Sequence, residues 1–197
     1  MHRHFDFSAL PPAERYKILS GAVLPRPVAL ITTRDVEGRN NAAPFSFFGV
    51  LDHDPAVVAV GIGSHEGGRL KDTWVNIRDS GVFTLHIPDV SMAGAVEVMA
   101  QPHEYGVDET RLAGLATQPG RNGVARILVA PAAFECRLSQ QLPLSHSRTI
   151  VIAEVEHAYI REDAVNARLH IDPAGIDALA RLGGQTYATI RDRFPAP

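Results

Sequence analysis

Apolar and polar positions fall into short blocks divided by turn signals, a rhythm that predicts strands joined by hairpins with few helices between them. Residues 13–20 form the first predicted helix. Ser8 precedes Pro11-Pro12, Tyr16, Ile18 and Leu19 supply the apolar positions, and Gly21 stops it. Val28-Ala29-Leu30-Ile31-Thr32-Thr33 is apolar and β-branched, breaks at Asp35-Val36-Glu37-Gly38 and resumes over residues 40–48, which predicts a hairpin. Residues 56–62 alternate little and predict a strand buried on both faces. Leu70, Trp74 and Ile77 stand at helical spacing, so residues 70–80 read as a helix capped by Gly81, with a strand over 82–87 behind it. Ser91 is the expected N-cap of a second helix that ends at Gln101-Pro102.

Beyond it, residues 103–122 are polar and glycine-dotted, which leaves open a surface excursion or a lid. Residues 133–138 and 148–160 alternate as paired antiparallel strands, and a shorter strand is expected near 168–171. Residues 173–190 are weakly helical and broken at Gly183-Gly184. Such an order favours an antiparallel barrel over a doubly wound parallel sheet. No repeat, charge block or linker interrupts residues 1–197, so one domain is expected.

Composition narrows the function. A chain of 197 residues with 45% hydrophobic content can bury a core, and 19 basic against 22 acidic residues give a net charge of −3. That balance lacks the basic footprint of a nucleic-acid binder. Cys136 alone excludes an internal disulfide or a cysteine cluster. With no apolar run of membrane length and no signal-type N-terminus, a soluble cytoplasmic protein is expected. No phosphate loop of the Gly-x-x-x-x-Gly-Lys type occurs, and Gly61-Ile62-Gly63 has Glu66 where a dinucleotide fingerprint needs its third glycine. No serine sits in a Gly-x-Ser-x-Gly elbow. The nine histidines are scattered, and no metal is expected.

Three segments carry candidate chemistry. In Asn41-Ala42-Ala43-Pro44-Phe45-Ser46-Phe47-Phe48 a proline interrupts a strand, which frees neighbouring N–H groups for a planar heterocycle or marks an ordinary bulged edge over the core. Gly63-Ser64-His65-Glu66-Gly67-Gly68-Arg69-Leu70-Lys71-Asp72-Thr73 runs a glycine-rich loop into a helix. It reads either as a phosphate site with Arg69, Lys71 and Thr73 as donors or as a loop with Asp72 capping the helix. Arg26-Pro27 with Thr32-Thr33 carries no chemistry alone.

In this order, these segments resemble the flavin reductase-like, FMN-binding split-barrel family. The resemblance rests on Leu24-Pro25-Arg26-Pro27-Val28-Ala29, Thr32-Thr33, the 41–48 segment, Lys71-Asp72-Thr73 with Asn76-Ile77-Arg78, the strand 82–87 and, more loosely, Arg181-Leu182-Gly183-Gly184 with Tyr187. It implies a mainly β (α+β) fold, a six-stranded antiparallel Greek-key split barrel with peripheral helices. It also implies a homodimer with FMN near the interface. Carried onto this chain, the FMN phosphate would lie by Lys71, Asp72 and Thr73, with Arg69 beside them. Thr32, Thr33, Asn41, Ala43, Pro44, Phe45 and Ser46 would line the ribityl chain and isoalloxazine, with the Phe45 N–H stabilising charge on the reduced ring. His146 and Tyr187 would stand on the substrate side; relatives often have a glycine-rich turn where this chain has Leu144-Ser145-His146-Ser147.

The implied activity is that of a flavin reductase, in which NADH or NADPH reduces the flavin and electrons pass to a flavin, metal, oxygen or monooxygenase partner. Two alternatives remain: a non-enzymatic FMN electron carrier of the flavoredoxin type, and an oxidase of the pyridoxamine-phosphate oxidase type. Pyridine-nucleotide turnover separates the carrier from the reductase.

Overall fold

The computed structural model describes residues 1–195; Ala196 and Pro197, the last residues of the expected domain, lie outside it. Helix α1 (Pro12–Ala22) starts on a proline at its first turn, and only Ser20 of it is buried. It leads through β1 (Arg26–Pro27) into β2 (Ala29–Arg34) and β3 (Asn40–Phe45). Their hairpin turn is drawn tight by Asp35 Oδ1, which accepts from the N–H groups of Glu37 and Arg39 at 2.9 and 2.8 Å while Gly38 takes φ +85°.

The chain bends at Ser46-Phe47 and continues as β4 (Phe48–His53), β5 (Ala56–Gly63) and helix α2 (Asp72–Ser80). Gly81 ends α2 as expected, at φ +75°, donating to Ile77 O at 2.8 Å. Strand β6 (Val82–Ile87) and helix α3 (Ala93–Ala100) follow. Residues 103–122, expected as a loop or lid, form the short helix α4 (Glu109–Leu112) and strand β7 (Thr117–Pro119), which pairs with β8 (Ala125–Ile127). Then come β9 (Ala132–Ser145), β10 (Arg148–Ile160), the one-turn helix α5 (Pro173–Ile176), β11 (Ala180–Arg181) and β12 (Tyr187–Ala188).

The main sheet runs β3-β2-β6-β9-β10-β5-β4, with every pairing antiparallel. Its two edge strands are halves of one stretch of chain. The bend turns β3 into β4, and Gly61 of β5 donates to Phe47 O at 2.7 Å, so the sheet closes on itself. Counted as one bent strand, β3 and β4 give the expected six; counted apart, they give seven. The interior is filled by Ile31, Phe45, Val60, Ile62, Phe83, Leu85 and Val151, with Trp74 and Ile77 of α2 plugging one end. Helix α3 packs against β3, with Val96 and Met99 in one cluster with Leu30, Ala42 and Ile127 on the outside of the sheet.

Five local expectations are corrected. Strand β5 alternates in burial; β2 and β6 are the strands covered on both faces, because β8 lies over their outer side, with Thr32 bonded to Ala125 and His86 to Ile127. The stretch 40–48 is not one straight strand but two, divided at the bend. Asp89, not Ser91, caps the turn before α3, accepting from Met92 N at 3.2 Å, while the Ser91 hydroxyl donates to the same carboxylate. Residues 168–171 form a turn rather than a strand, since Leu169 takes φ +61° and donates to Asn166 O. The C-terminal segment is likewise less helical than expected: β11 pairs with β1 and β12 with β11.

One buried histidine ties these layers together. His86 Nδ1 lies 3.0 Å from Leu30 O, and Nε2 accepts from Ile127 N at 3.0 Å, so the ring is held as the neutral Nδ1–H tautomer. Burial pushes its pKa down to about 4. The unfolded chain therefore binds a proton near pH 6.5 that the fold refuses until about pH 4, and stability is lost as the pH falls through that window. The full loss corresponds to about 3 kcal/mol. Urea unfolding at pH 7 and pH 4.5 reads this, and His86→Leu should flatten that part of the acid limb while lowering stability at pH 7.

Candidate functional site

Three recesses meet at Pro44 along the open edge of β3 and form one groove. The first is walled by Asn41, Ala43, Lys71, Thr73, His103 and Glu109 among others. The second and third, of about 520 and 580 Å³, both share Tyr16, Phe45 and Ser46, one running toward Arg181 and Tyr187 and the other toward Phe47 and Arg148.

Helix α2 points its first turn into this groove. Lys71 is its N-cap and offers no side-chain cap; Trp74 N and Val75 N bond back to Lys71 O, so the N–H groups of Asp72 and Thr73 have no acceptor within the helix. Among the described residues these two donors are unpaired, and at the positive end of the helix dipole they make an anion cradle. The Lys71 ammonium stands over the Phe45 ring at 5.8 Å. Burial holds its pKa below the usual lysine range, and the Arg148 guanidinium lowers it further. The adjacent Asp72 carboxylate faces Arg69 Nη1 at 3.5 Å. Among the described residues no carboxylate comes within ion-pair distance of Lys71. His65, on the wall of the same recess, is held below its ordinary pKa by burial and then by Arg69 and Lys71. This end of the groove thus sets the Lys71 ammonium beside a helix N-terminus, a pairing that suits a phosphate, with the carboxyl groups of Asp72 and Glu109 on the same recess.

Strand β3 joins that cradle to the rest of the groove. Asn41 Nδ2 donates to Thr73 Oγ1 at 3.0 Å and to Thr33 Oγ1 at 3.2 Å, and Asn76 Nδ2 reaches Thr33 at 3.0 Å. Ala42 N turns away from the ladder to donate to Glu109 Oε2 at 2.8 Å. Burial raises the Glu109 pKa, opposed by that bond. By the alternation of an antiparallel ladder, Ala42 and Pro44 face outward and Ala43 and Phe45 face β2. Pro44, which has no N–H, therefore costs the sheet no hydrogen bond.

Most of the expected residues come together: Asn41, Ala43, Pro44, Lys71, Asp72 and Thr73 line the first recess, and Phe45, Ser46 and Tyr187 the others. Five expectations change. Thr32 is wholly buried and gives its hydroxyl to Ala125 O at 2.5 Å, so it does not touch the groove. Thr33 is equally buried and acts behind the wall, as the acceptor that orients Asn41 and Asn76. The Phe45 N–H faces β2 rather than the groove, for the ladder reason just given. Arg69 points away, its side chain half exposed beside Asp72. His146 stands exposed at the β9–β10 turn and lines none of the recesses.

The far end is tied by charged side chains. Tyr187 donates to Glu97 Oε1 at 2.6 Å, Arg181 reaches the same oxygen at 3.0 Å, and the Arg181 guanidinium covers the Tyr187 ring. Arg26 is buried. It donates to Ser20 O, to Val23 O and Leu182 O at 3.3 and 3.0 Å, and to Ser46 Oγ at 3.4 Å, joining α1, the C-terminal segment and the bend. Tyr16, His65, His103, Glu109 and Arg148 are groove residues that sequence reasoning missed. Arg148 follows a hairpin turn with no local signal, and its partner Gly61 is 87 residues away.

Comparison with known proteins places this geometry in a family. The chain is 38% identical to a protein of Deinococcus radiodurans over 201 residues, covering 98% of this chain and 88% of the relative. Among solved structures, component B of nitrilotriacetate monooxygenase from Bacillus cereus superposes with a TM-score of 0.95 at 27% identity, covering 100% and 99% of the two chains. The 2-nitrobenzoate 2-nitroreductase NbaA of Pseudomonas fluorescens superposes at 0.89 with 29% identity, covering 99% and 95%. The model of the flavin reductase like domain matches residues 20–179, and with the closed, bent-strand barrel around which the groove is built, this chain belongs to the flavin reductase-like split-barrel flavoproteins.

Proposed function

We propose that this flavin oxidoreductase binds FMN along the β3 groove, takes reducing equivalents from NADH or NADPH, and passes them to an acceptor outside the chain. The observation that carries the reading is Lys71: a desolvated ammonium without a carboxylate partner among the described residues, beside two unpaired N–H groups of a helix N-terminus. That cradle matches the charge of a flavin phosphate. Pro44 and the small Ala43 keep the adjoining strand edge low, which suits a flat ring and its ribityl chain.

Bound FMN would supply two-electron hydride chemistry. The chain's own part is binding and orientation. Lys71, Thr73 and the first turn of α2 hold the phosphate, and Asn41, fixed by Thr33, offers its amide along the chain of the ligand. Phe45, Ser46 and Tyr187 bound the ring end, with Arg26 and Glu97 holding Ser46 and Tyr187 in place. No acid or base on the protein is required, because hydride transfer to a flavin depends on stacking and distance. The names of the two structural relatives, a monooxygenase component and a nitroreductase, support an acceptor outside the chain. We further propose a homodimer that covers the open side of the groove and buries exposed apolar side chains such as Leu19, Val23, Val50 and Leu51; light scattering on the purified protein should give twice the chain mass.

The deciding measurement is an absorbance spectrum after adding FMN and desalting, followed by anaerobic NADH and then NADPH. Retained flavin bands that bleach with either nucleotide establish the reading and name the donor. Bleaching with dithionite alone moves the assignment to an electron carrier.

The phosphate cradle has its own test. Lys71→Met should weaken FMN binding roughly tenfold to a hundredfold and leave riboflavin binding unchanged. Since only the charged ammonium attracts the phosphate and burial lowers its pKa, FMN affinity of the wild type should fall from pH 8 to pH 10. The variant should show no such fall.

A further inference from the structure

The recess beyond Phe45 holds a cation that the phosphate cradle leaves unused. Arg148 opens β10, and its guanidinium lies 4.6 Å over the Phe47 ring while Nη1 donates to Gly61 O at 3.0 Å. Two glycines make room for it. A Cβ at Gly63 would stand 3.3 Å from Nη2, tighter than ordinary contact, while one at Gly61 would crowd Phe47 Cβ at 3.3 Å and meet Nη1 at an ordinary 3.6 Å. The group is thus seated on a rigid strand pair, with only one of its five N–H donors committed among the described residues.

Its surroundings are cationic and aromatic. Lys71 lines the same recess and feels Arg148 as a like charge, and among the described residues no carboxylate lines it. The walls are Tyr16, Phe45 and Phe47, with the Tyr16 and Phe47 ring centroids 6.3 Å apart. Two cations on a recess that no carboxylate lines among the described residues call for an anion, and flanking rings call for a flat apolar body attached to it.

We propose that Arg148 is the specificity-determining residue of a substrate subsite at this end of the groove, which selects aromatic acids by pairing with their carboxylate. The inference rests on the flavin reading of the neighbouring cradle, since it gives the acid a place beside the cofactor. Arg148 binds and orients; it exchanges no proton with the substrate.

The test uses protein loaded with FMN and titrates 2-naphthoate and its neutral amide, 2-naphthamide, by calorimetry. The wild type should bind the acid roughly tenfold or more tightly than the amide, and added salt should narrow the gap. Arg148→Met should abolish the preference by weakening the acid alone, and Arg148→Lys should keep part of it, with thermal unfolding verifying that both variants are folded. Equal binding of acid and amide by the wild type overturns the proposal, as does an undiminished preference in Arg148→Met. If Arg148→Met instead weakens FMN but not riboflavin, Arg148 belongs to the phosphate cradle and the subsite is refuted while the flavin reading stands. If it raises only the KM for NADH or NADPH, the anion it serves is the dinucleotide, which also refutes the proposal. Should the wild type retain no FMN, the flavin reading fails by itself, and the same titrations on the flavin-free protein still decide whether Arg148 selects the acid.

Discussion

Everything in this molecule that could be called a site depends on the bend at Ser46-Phe47. A sheet of this length has two edges with unpaired backbone groups, and the bend removes the problem by making both edges from one stretch of chain. The hydrogen bond from Gly61 N to Phe47 O fastens the closure, and the Arg26 fork and Arg148 hold its two sides. The same bend leaves the outer side of β3 uncovered by any strand, and that side is the floor of the groove. Closure of the barrel and opening of the site are one event.

Charge is distributed to match. A chain with a slight net negative charge concentrates Lys71, Arg148 and the start of α2 around one groove. Their mutual repulsion and the desolvation of Lys71 oppose folding, so an anion bound here would stabilise the fold. The buried carboxyl of Glu109 sits on the far wall, where its bond to Ala42 fastens α4 to the strand edge.

Much of this was legible in the sequence, and what was not has a physical cause. Hairpin signals and the Gly81 cap are local, and each led to a correct element, whereas the expected interruption at Pro44 did not appear: β3 runs through Pro44 without a bulge and breaks only at Ser46-Phe47. The ordered motifs marked most of the groove lining, because cradle and strand edge are built from contiguous residues such as Lys71-Asp72-Thr73. Which side of a strand a residue faces is a matter of register, and register failed for Thr32 and the Phe45 N–H, which the motif could not orient. Long-range partners failed too: Arg148 finds Gly61 only because β10 pairs with β5, and His86 finds Ile127 only through the β7–β8 hairpin. His146 was singled out where the residue that matters, two positions on, had already entered the strand.

Helix α1 buries only Ser20, yet it supplies Tyr16 to the groove, and the residues around Tyr187 supply the opposite wall through short strands outside the barrel. The core and the groove walls are therefore nearly separate pieces of the chain. Substitutions in the two walls can change which molecule is admitted while the barrel keeps its stability. A scaffold divided in this way is free to diversify its acceptors without refolding, and it offers protein engineers two short segments in which to redirect one.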